Sequence, residues 1–169
     1  MNKLKLLLVS TILICSNTFA LPDDKEQRVD VSSDSSELFL DENKVIHYGT
    51  EENPVVINQG SMRIEGQEVT IINENGEPKT ITAIGNPARF QQQPEVDKAI
   101  IYGKGDKIFF DNTIQFLTMN EDAELIQEGN ILRGFHVEYD MVAQKARANS
   151  NGNEEDRVNM VIQPENGNQ

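Results

Sequence analysis

The side chains able to do covalent or acid–base chemistry are few in this chain, and they are scattered. His47 and His136 are the two imidazoles. Each stands beside an apolar residue in a strand-like stretch, and neither has a second histidine at the spacing a zinc site needs. Both read as strand-surface residues. The one cysteine, Cys15, lies in an apolar run near the N-terminus, which leaves the body of the chain without thiol chemistry. Carboxylates abound, but Asp23-Asp24, Glu51-Glu52, Glu121-Asp122 and Glu154-Glu155-Asp156 fall in turn-like or tail-like segments, where acidic runs are solvated rather than paired for general acid and base work. Asn120-Glu121-Asp122 lacks the ligand spacing of a calcium loop. Gly103-Lys104-Gly105-Asp106-Lys107 is glycine-rich but fits no phosphate cradle, and no nucleophile elbow or dinucleotide fingerprint occurs. The expectation is a protein that is no enzyme and takes no metal or cofactor.

Function must then lie in a surface or a groove, and the pattern that would build one occurs twice. Gln59, Gly66, Val69 and Ile71 recur at identical spacing as Gln127, Gly134, Val137 and Tyr139, with Ile64 and Leu132 in register. Upstream of each copy is a matching strand-and-turn segment, Leu38-Phe39-Leu40-Asp41 and Ile108-Phe109-Phe110-Asp111. Repeated β-rich units stack their strands into one continuous sheet system.

The elements are strands. Val29 and Val31, then Leu38 and Leu40, alternate with polar residues at a period of two. Turn signals follow at short intervals, at Asp41-Glu42-Asn43, Gly49-Thr50, Gln59-Gly60, Gly85-Asn86-Pro87, Glu128-Gly129 and others. Asn75-Gly76 between Val69–Ile72 and Thr80–Ile84 predicts a tight hairpin. The one stretch helical in composition, Met141 to Ala148, is short. Aliphatic side chains on the inner faces either fill an ordinary sandwich core or line an open apolar groove suited to lipid chains, and periodicity alone leaves both open.

The N-terminus has the three parts of a secretory signal peptide: Lys3 and Lys5, an apolar run from Leu6 to Cys15, and the small-residue site Thr18-Phe19-Ala20. The run is shorter than the roughly 20 residues that cross a bilayer, so cleavage after Ala20 is expected. Ile14 stands before Cys15 where a lipoprotein signal would need a small residue. Loss of the leader removes two of the 15 basic residues and none of the 28 acidic ones, moving the net charge from −13 to −15. Such a charge disfavours nucleic acid and anionic membrane surfaces. The remaining length suits one domain. Residues 21–150 are expected to form it, with repeats at about 38–90 and 105–148, and 151–169 to hold a short last strand at Val158–Ile162 and a disordered tail.

The order of these features carries a resemblance. Gln27-Arg28-Val29-Asp30-Val31-Ser32-Ser33-Asp34 follows the leader, then Leu38-x-Leu40, then Val55-Val56-Ile57-Asn58-Gln59-Gly60, then Gly85-Asn86-Pro87-Ala88-Arg89-Phe90, and the second copy closes with Gly134 and Tyr139-Asp140. Across residues 25 to 145 the chain resembles the OstA-like family of periplasmic lipopolysaccharide-transport proteins. It departs from that pattern at Gly49-Thr50-Glu51-Glu52-Asn53-Pro54, an expanded turn, and at Glu128, which separates Gln127 from Gly129.

The resemblance implies an all-β fold, a rolled, V-shaped antiparallel β-jellyroll-like domain open at both ends, located in the periplasm. It implies lipopolysaccharide as cargo with its acyl chains inside, the inner- and outer-membrane components of the transport machinery as partners, and a head-to-tail homo-oligomer. Val29, Val31 and Phe90 match family positions near the lipid path. Alternation and the repeat add Leu38, Leu40, Ile64, Ile108, Phe110 and Leu132 as interior residues. Two other readings compete: an inner-membrane-anchored paralogue of the same fold, which would keep its N-terminal segment, and a secreted carbohydrate-binding β-sandwich. The second would be expected to show aromatic platforms, yet the chain has no Trp and three Tyr.

Overall fold

The computed structural model describes residues 24–94, 98–154 and 157–164. The leader and the end of the tail lie outside the described residues. A 3-10 turn at Asp24–Glu26 is followed by β1 (Val29–Ser32), β2 (Ser35–Phe39), β3 (Lys44–Tyr48), β4 (Val55–Gln59), β5 (Met62–Gly66) and β6 (Glu68–Glu74). Four long strands come next, β7 (Glu77–Gln92), β8 (Ile101–Asp111), β9 (Phe116–Gln127) and β10 (Asn130–Asp140), and then the short β11 (Lys145–Asn149) and β12 (Asn159–Val161). All the pairings are antiparallel.

The long strands belong to two leaves at once. The first part of β7 pairs with β6 and its last part with β5. At the other end β10 pairs with β12 through Ile131–Arg133 and with β11 through His136–Asp140. One leaf therefore runs β1-β4-β5-β7-β8-β9-β10-β12 and the other β2-β3-β6-β7-β8-β9-β10-β11, joined along a crease that the long strands cross. The result is the rolled, open, jellyroll-like sheet.

The crease is written into the strands as register breaks, between Ile84 and Ala88, between Lys104 and Lys107, and between Gly134 and His136. At such a break a strand can exchange which parity of its residues faces the core. On β7 the buried residues are Ile81 and Ala83 before the break and Ala88, Phe90 and Gln92 after it. On β8 they are Ile101, Gly103 and Gly105, then Ile108 and Phe110. The parity switch keeps an apolar face inward on both leaves although the strand changes direction between them. At the β9 corner Glu121 and Asp122 take left-handed φ angles of 59° and 47°.

Small residues let the crease close. Val55 pairs with Gly66, Ala88 with Gly105, and Ala123 with Gly134, which puts glycine or alanine on the innermost row of the first leaf. A Cβ on Gly105 would stand 2.8 Å from the backbone oxygen of Asn120, while one on Gly103 would meet the thioether of Met119 at 2.7 Å. A backbone oxygen cannot step aside; a methionine can turn.

The two copies of the repeat superpose in register. Leu38 pairs with Val45 and Val45 with Ile71, as Phe110 pairs with Leu117 and Leu117 with Tyr139. Strands β5 and β6 thus occupy, as two pieces interrupted at Gln67, the place that the single strand β10 occupies in the second copy. The equivalence corrects the alignment drawn from sequence upstream: Leu38 corresponds to Phe110, not to Ile108. The expanded turn at Gly49–Pro54 accounts for the difference, because it inserts four more residues between Val45 and Gln59 than lie between Leu117 and Gln127. Asn75 and Gly76 take φ angles of 55° and 87°, as the tight hairpin between β6 and β7 requires. Met141 to Ala148 is not helical: it is a turn followed by β11.

We expect Gly105→Ala to destabilise the protein by about 2 kcal/mol, seen as a fall in Tm of about 4–8 °C, and Gly103→Ala to cost less than half as much. Thermal unfolding followed by circular dichroism checks both; equal losses would show that the Asn120 carbonyl does not limit the crease.

Candidate functional site

The inner faces of the two leaves meet in one apolar layer. Cross-strand rows supply it: on the second leaf Leu38, Val45, Ile71, Ile81, Phe110, Leu117, Tyr139 and Ala146 follow one another from strand to strand. On the first leaf the facing row is Val31, Ile57, Ile64, Phe90, Gly103, Leu125, Leu132 and Met160. The leaves touch through Phe90 and Phe110, whose ring centroids are 5.3 Å apart at a tilt of 49°.

The nine residues singled out from sequence divide by where their row is sampled. Ile64, Phe90 and Phe110 sit mid-row, Ile108 stands beside them between Ala83 and Met119, and all four are fully buried. Val29 and Leu132 are partly buried and packed against that layer. Val31 and Leu38 are at the ends of their rows, 37% and 63% exposed, on strands that have a partner on one side only among the described residues. Leu40 departs from its expected place. Strand β2 ends at Phe39, Leu40 begins a 3-10 turn ending in Asn43 with φ 49°, and its side chain is 75% exposed. Alternation cannot be carried through a turn, and that is why the period-two reading misplaced it.

The layer emerges at both ends of the sheet. Val31 and Leu38 are exposed at the β1/β2 end, and Met160, 61% exposed, lies at the β12 end. The strands there carry mostly exposed residues.

Along the side opposite the crease the last inner row of the first leaf alternates amides with hydrocarbon, Gln59 opposite Met62 and Gln92 opposite Ile101. Gln59 and Gln92 are buried, and Gln127 accepts a hydrogen bond from the Tyr139 hydroxyl at 3.2 Å, a contact from one leaf to the other across the mouth. Burial, the largest effect, raises the pKa of the Tyr139 phenol against the opposing hydrogen bond to Gln127, with smaller upward contributions from Asp140 and Glu128, so the hydroxyl remains the donor. The first described residues close the same rim. Asp24 accepts from the Ser61 backbone N–H at 2.7 Å and from the Gln92 amide at 3.1 Å, and Gln59 donates to the Gln27 carbonyl at 3.2 Å. These glutamines were not singled out as site residues from sequence. The available signal was that Gln59 and Gln127 mark the same place in the two copies.

The outer face of the first leaf is charged. Glu65 pairs with Arg89, Lys104 with Glu124, and Glu124 with Arg133 in one cross-strand row, and Glu124 also forms ion pairs with Lys104, at 3.5 Å, and with Arg133. Arg89 therefore points away from the face that Phe90 shares. His136 is also on an outer face, held by Asn120 at 2.7 Å and Glu138 at 3.2 Å. His47 lies in register with Val69, shares a hydrogen bond with the Ser36 hydroxyl at 2.8 Å, and has its pKa lowered by burial. Among the described residues no three metal-binding side chains come together, and no helix is long and apolar enough to cross a membrane.

Comparison with known proteins agrees with this architecture. Residues 30–145 match the family model described as LptA/(LptD N-terminal domain) LPS transport protein. The lipopolysaccharide export system protein LptA of Haemophilus influenzae is 35% identical over 166 residues, covering 96% of this chain and 92% of that protein. The lipopolysaccharide export system protein LptH of Pseudomonas aeruginosa is 33% identical over 155 residues, covering 88% and 86%. The crystal structure of LptH, described as the LptA-homologous periplasmic component of the lipopolysaccharide transport device, aligns with a TM-score of 0.74 at 32% identity, over 85% of this chain and all of that one. With the family pattern spanning most of its strands and relatives similar over nearly its whole length, the chain belongs to the LptA/LptD N-terminal-domain family of lipopolysaccharide-transport proteins.

Proposed function

We propose that the protein is a periplasmic bridge component that carries lipopolysaccharide from the inner to the outer membrane, holding the acyl chains between its two leaves and leaving sugars and phosphates outside. The observation that carries this reading is the pair of apolar rows that run across every strand from one open end of the sheet to the other. A filled sandwich core needs no outlet, yet here Val31 and Leu38 at one end and Met160 at the other leave the rows uncapped. Carriage requires the leaves to part on the side of the mouth, where Tyr139 and Gln127 meet, while the backbone-continuous crease holds. The relatives named as lipopolysaccharide export proteins support the same cargo.

Export and cleavage after Ala20 form part of the proposal. Asp24, only four positions beyond that site, is bonded to Ser61 and Gln92. The domain limits of 21–150, with a short strand and a tail beyond, belong to this reading too. No residue is assigned a catalytic role. The interior set of Val29, Val31, Leu38, Ile64, Phe90, Ile108, Phe110 and Leu132 is proposed as the acyl path, with Leu40 at its exposed entrance.

A photo-crosslinking side chain at Phe90 should capture lipopolysaccharide, and one at its outward neighbour Arg89 should not, as read by immunoblot of the irradiated complex. Equal capture at both positions would reject the inside–outside assignment.

The uncapped ends also propose an assembly. Strands β1 and β2 at one end, and β11 and β12 at the other, present backbone N–H and C=O groups that another copy or a membrane-bound partner of related fold can pair with. Such a head-to-tail contact does not close on itself and gives a series of oligomers. Truncation from Asn149 onward removes β12 and the end of β11 and should give a folded protein with shorter oligomers in light scattering. An unchanged size distribution over a wide concentration range would place the assembly surface elsewhere.

A further inference from the structure

The apolar inner face of β7 ends in an amide with half of its hydrogen bonding unused. Gln92 follows Phe90 on that face, is 5% exposed, and pairs with the buried Ile101. Its amide nitrogen donates to the Asp24 carboxylate at 3.1 Å. A carboxylate only accepts, so the nitrogen must be the atom facing Asp24, and this fixes the carbonyl oxygen on the other side of the group. There Gln92 Oε1 is buried with no hydrogen-bond partner among the described residues. Buried acceptors without partners are few in native proteins, and each asks for a reason.

The surroundings suggest one. Gln59 pairs with Met62, Gln92 with Ile101, and Gln127 with Asn130, which places the three glutamines in successive strand pairs along the inner side of the mouth. Gln59 donates to a backbone carbonyl and Gln127 accepts from Tyr139. Just deeper, the row containing Ile57, Ile64, Phe90 and Leu125 has no polar side chain. An acyl chain held between the leaves with its polar end outside must cross this row, in which the amides alternate with Met62 and Ile101, where hydrocarbon gives way to headgroup. A carbonyl oxygen placed there discriminates by chemistry: it rewards a chain that brings an O–H or N–H to that depth and penalises one that presents only CH2.

We infer that Gln92 Oε1 is a ligand subsite, accepting a hydrogen bond from a hydroxyl or amide near the polar root of an acyl chain, so that the interior favours hydroxylated or amide-linked chains over plain hydrocarbon ones. The inference rests on the acyl-carrier reading above and adds selectivity to it.

The test is displacement of a fluorescent fatty acid from the full mature protein by two competitors, 3-hydroxytetradecanoate and tetradecanoate. The hydroxylated chain should displace the probe at a concentration about five-fold lower, and Gln92→Met, shown by circular dichroism to be folded, should bring that ratio to about one. If Gln92→Met does not fold, Gln92→Asn decides the same ratio, because it keeps the amide but withdraws the oxygen from the row. Equal displacement by the two chains in the unaltered protein, or a preference that survives in the folded variant, overturns the inference and leaves the acyl-carrier reading standing. Failure of both chains to displace a probe that binds, or of the probe to bind at all, overturns that reading and the inference with it.

Discussion

Everything in this fold depends on strands that are continuous through a bend. Each long strand from β7 to β10 contributes to both leaves, so the leaves are tied by covalent backbone along the crease and only by side-chain contact at the mouth. The two boundaries of the interior therefore differ in strength by construction. Separating the leaves at the crease would break backbone pairing in several strands at once. Separating them at the mouth costs apolar contact such as that between Phe90 and Phe110, together with the Tyr139–Gln127 hydrogen bond. A sheet built this way has one side that can yield and one that cannot.

The same bend governs what side faces where. A strand that kept strict alternation through the crease would turn its polar face inward on the second leaf. The register breaks on β7, β8 and β10 absorb the conflict with extra residues and small side chains, as Gly105 does against Asn120. In the first copy the chain reaches the same end by stopping β5 at Gly66 and restarting at Glu68. One geometric problem has two solutions in one molecule, which is why the copies share their glycines and diverge in strand count.

This also explains which features were legible in the sequence. The strand class, the Asn75-Gly76 hairpin and the part of the repeat from Gln59 to Ile71 and from Gln127 to Tyr139 all rest on short-range signals, and they appear in the structure as read. Ile64, Phe90, Ile108 and Phe110 lie mid-strand, where alternation is reliable, and they are buried. Leu40 lies one residue past a strand end, and the alternation that included it had no means of detecting the 3-10 turn. The correspondence of Leu38 with Phe110 was hidden because the insertion at Gly49–Pro54 shifts the copies by four residues, and only pairing across strands reveals it. The rim escaped notice for a different reason: glutamine is usually an outward residue, and its inward placement depends on Asp24 and Tyr139, partners remote in sequence.

The contact between Asp24 and Gln92 joins residues 68 positions apart, and it makes the polarity of one point on the rim depend on the docking of the 3-10 turn at Asp24–Glu26. Asp24 is the one hydrogen-bond partner of the Gln92 side chain among the described residues, and without it the amide could present either a donor or an acceptor. The chemical character of that point of the mouth is thus set by the docking of the turn at Asp24–Glu26 and not by the strand alone that carries the side chain.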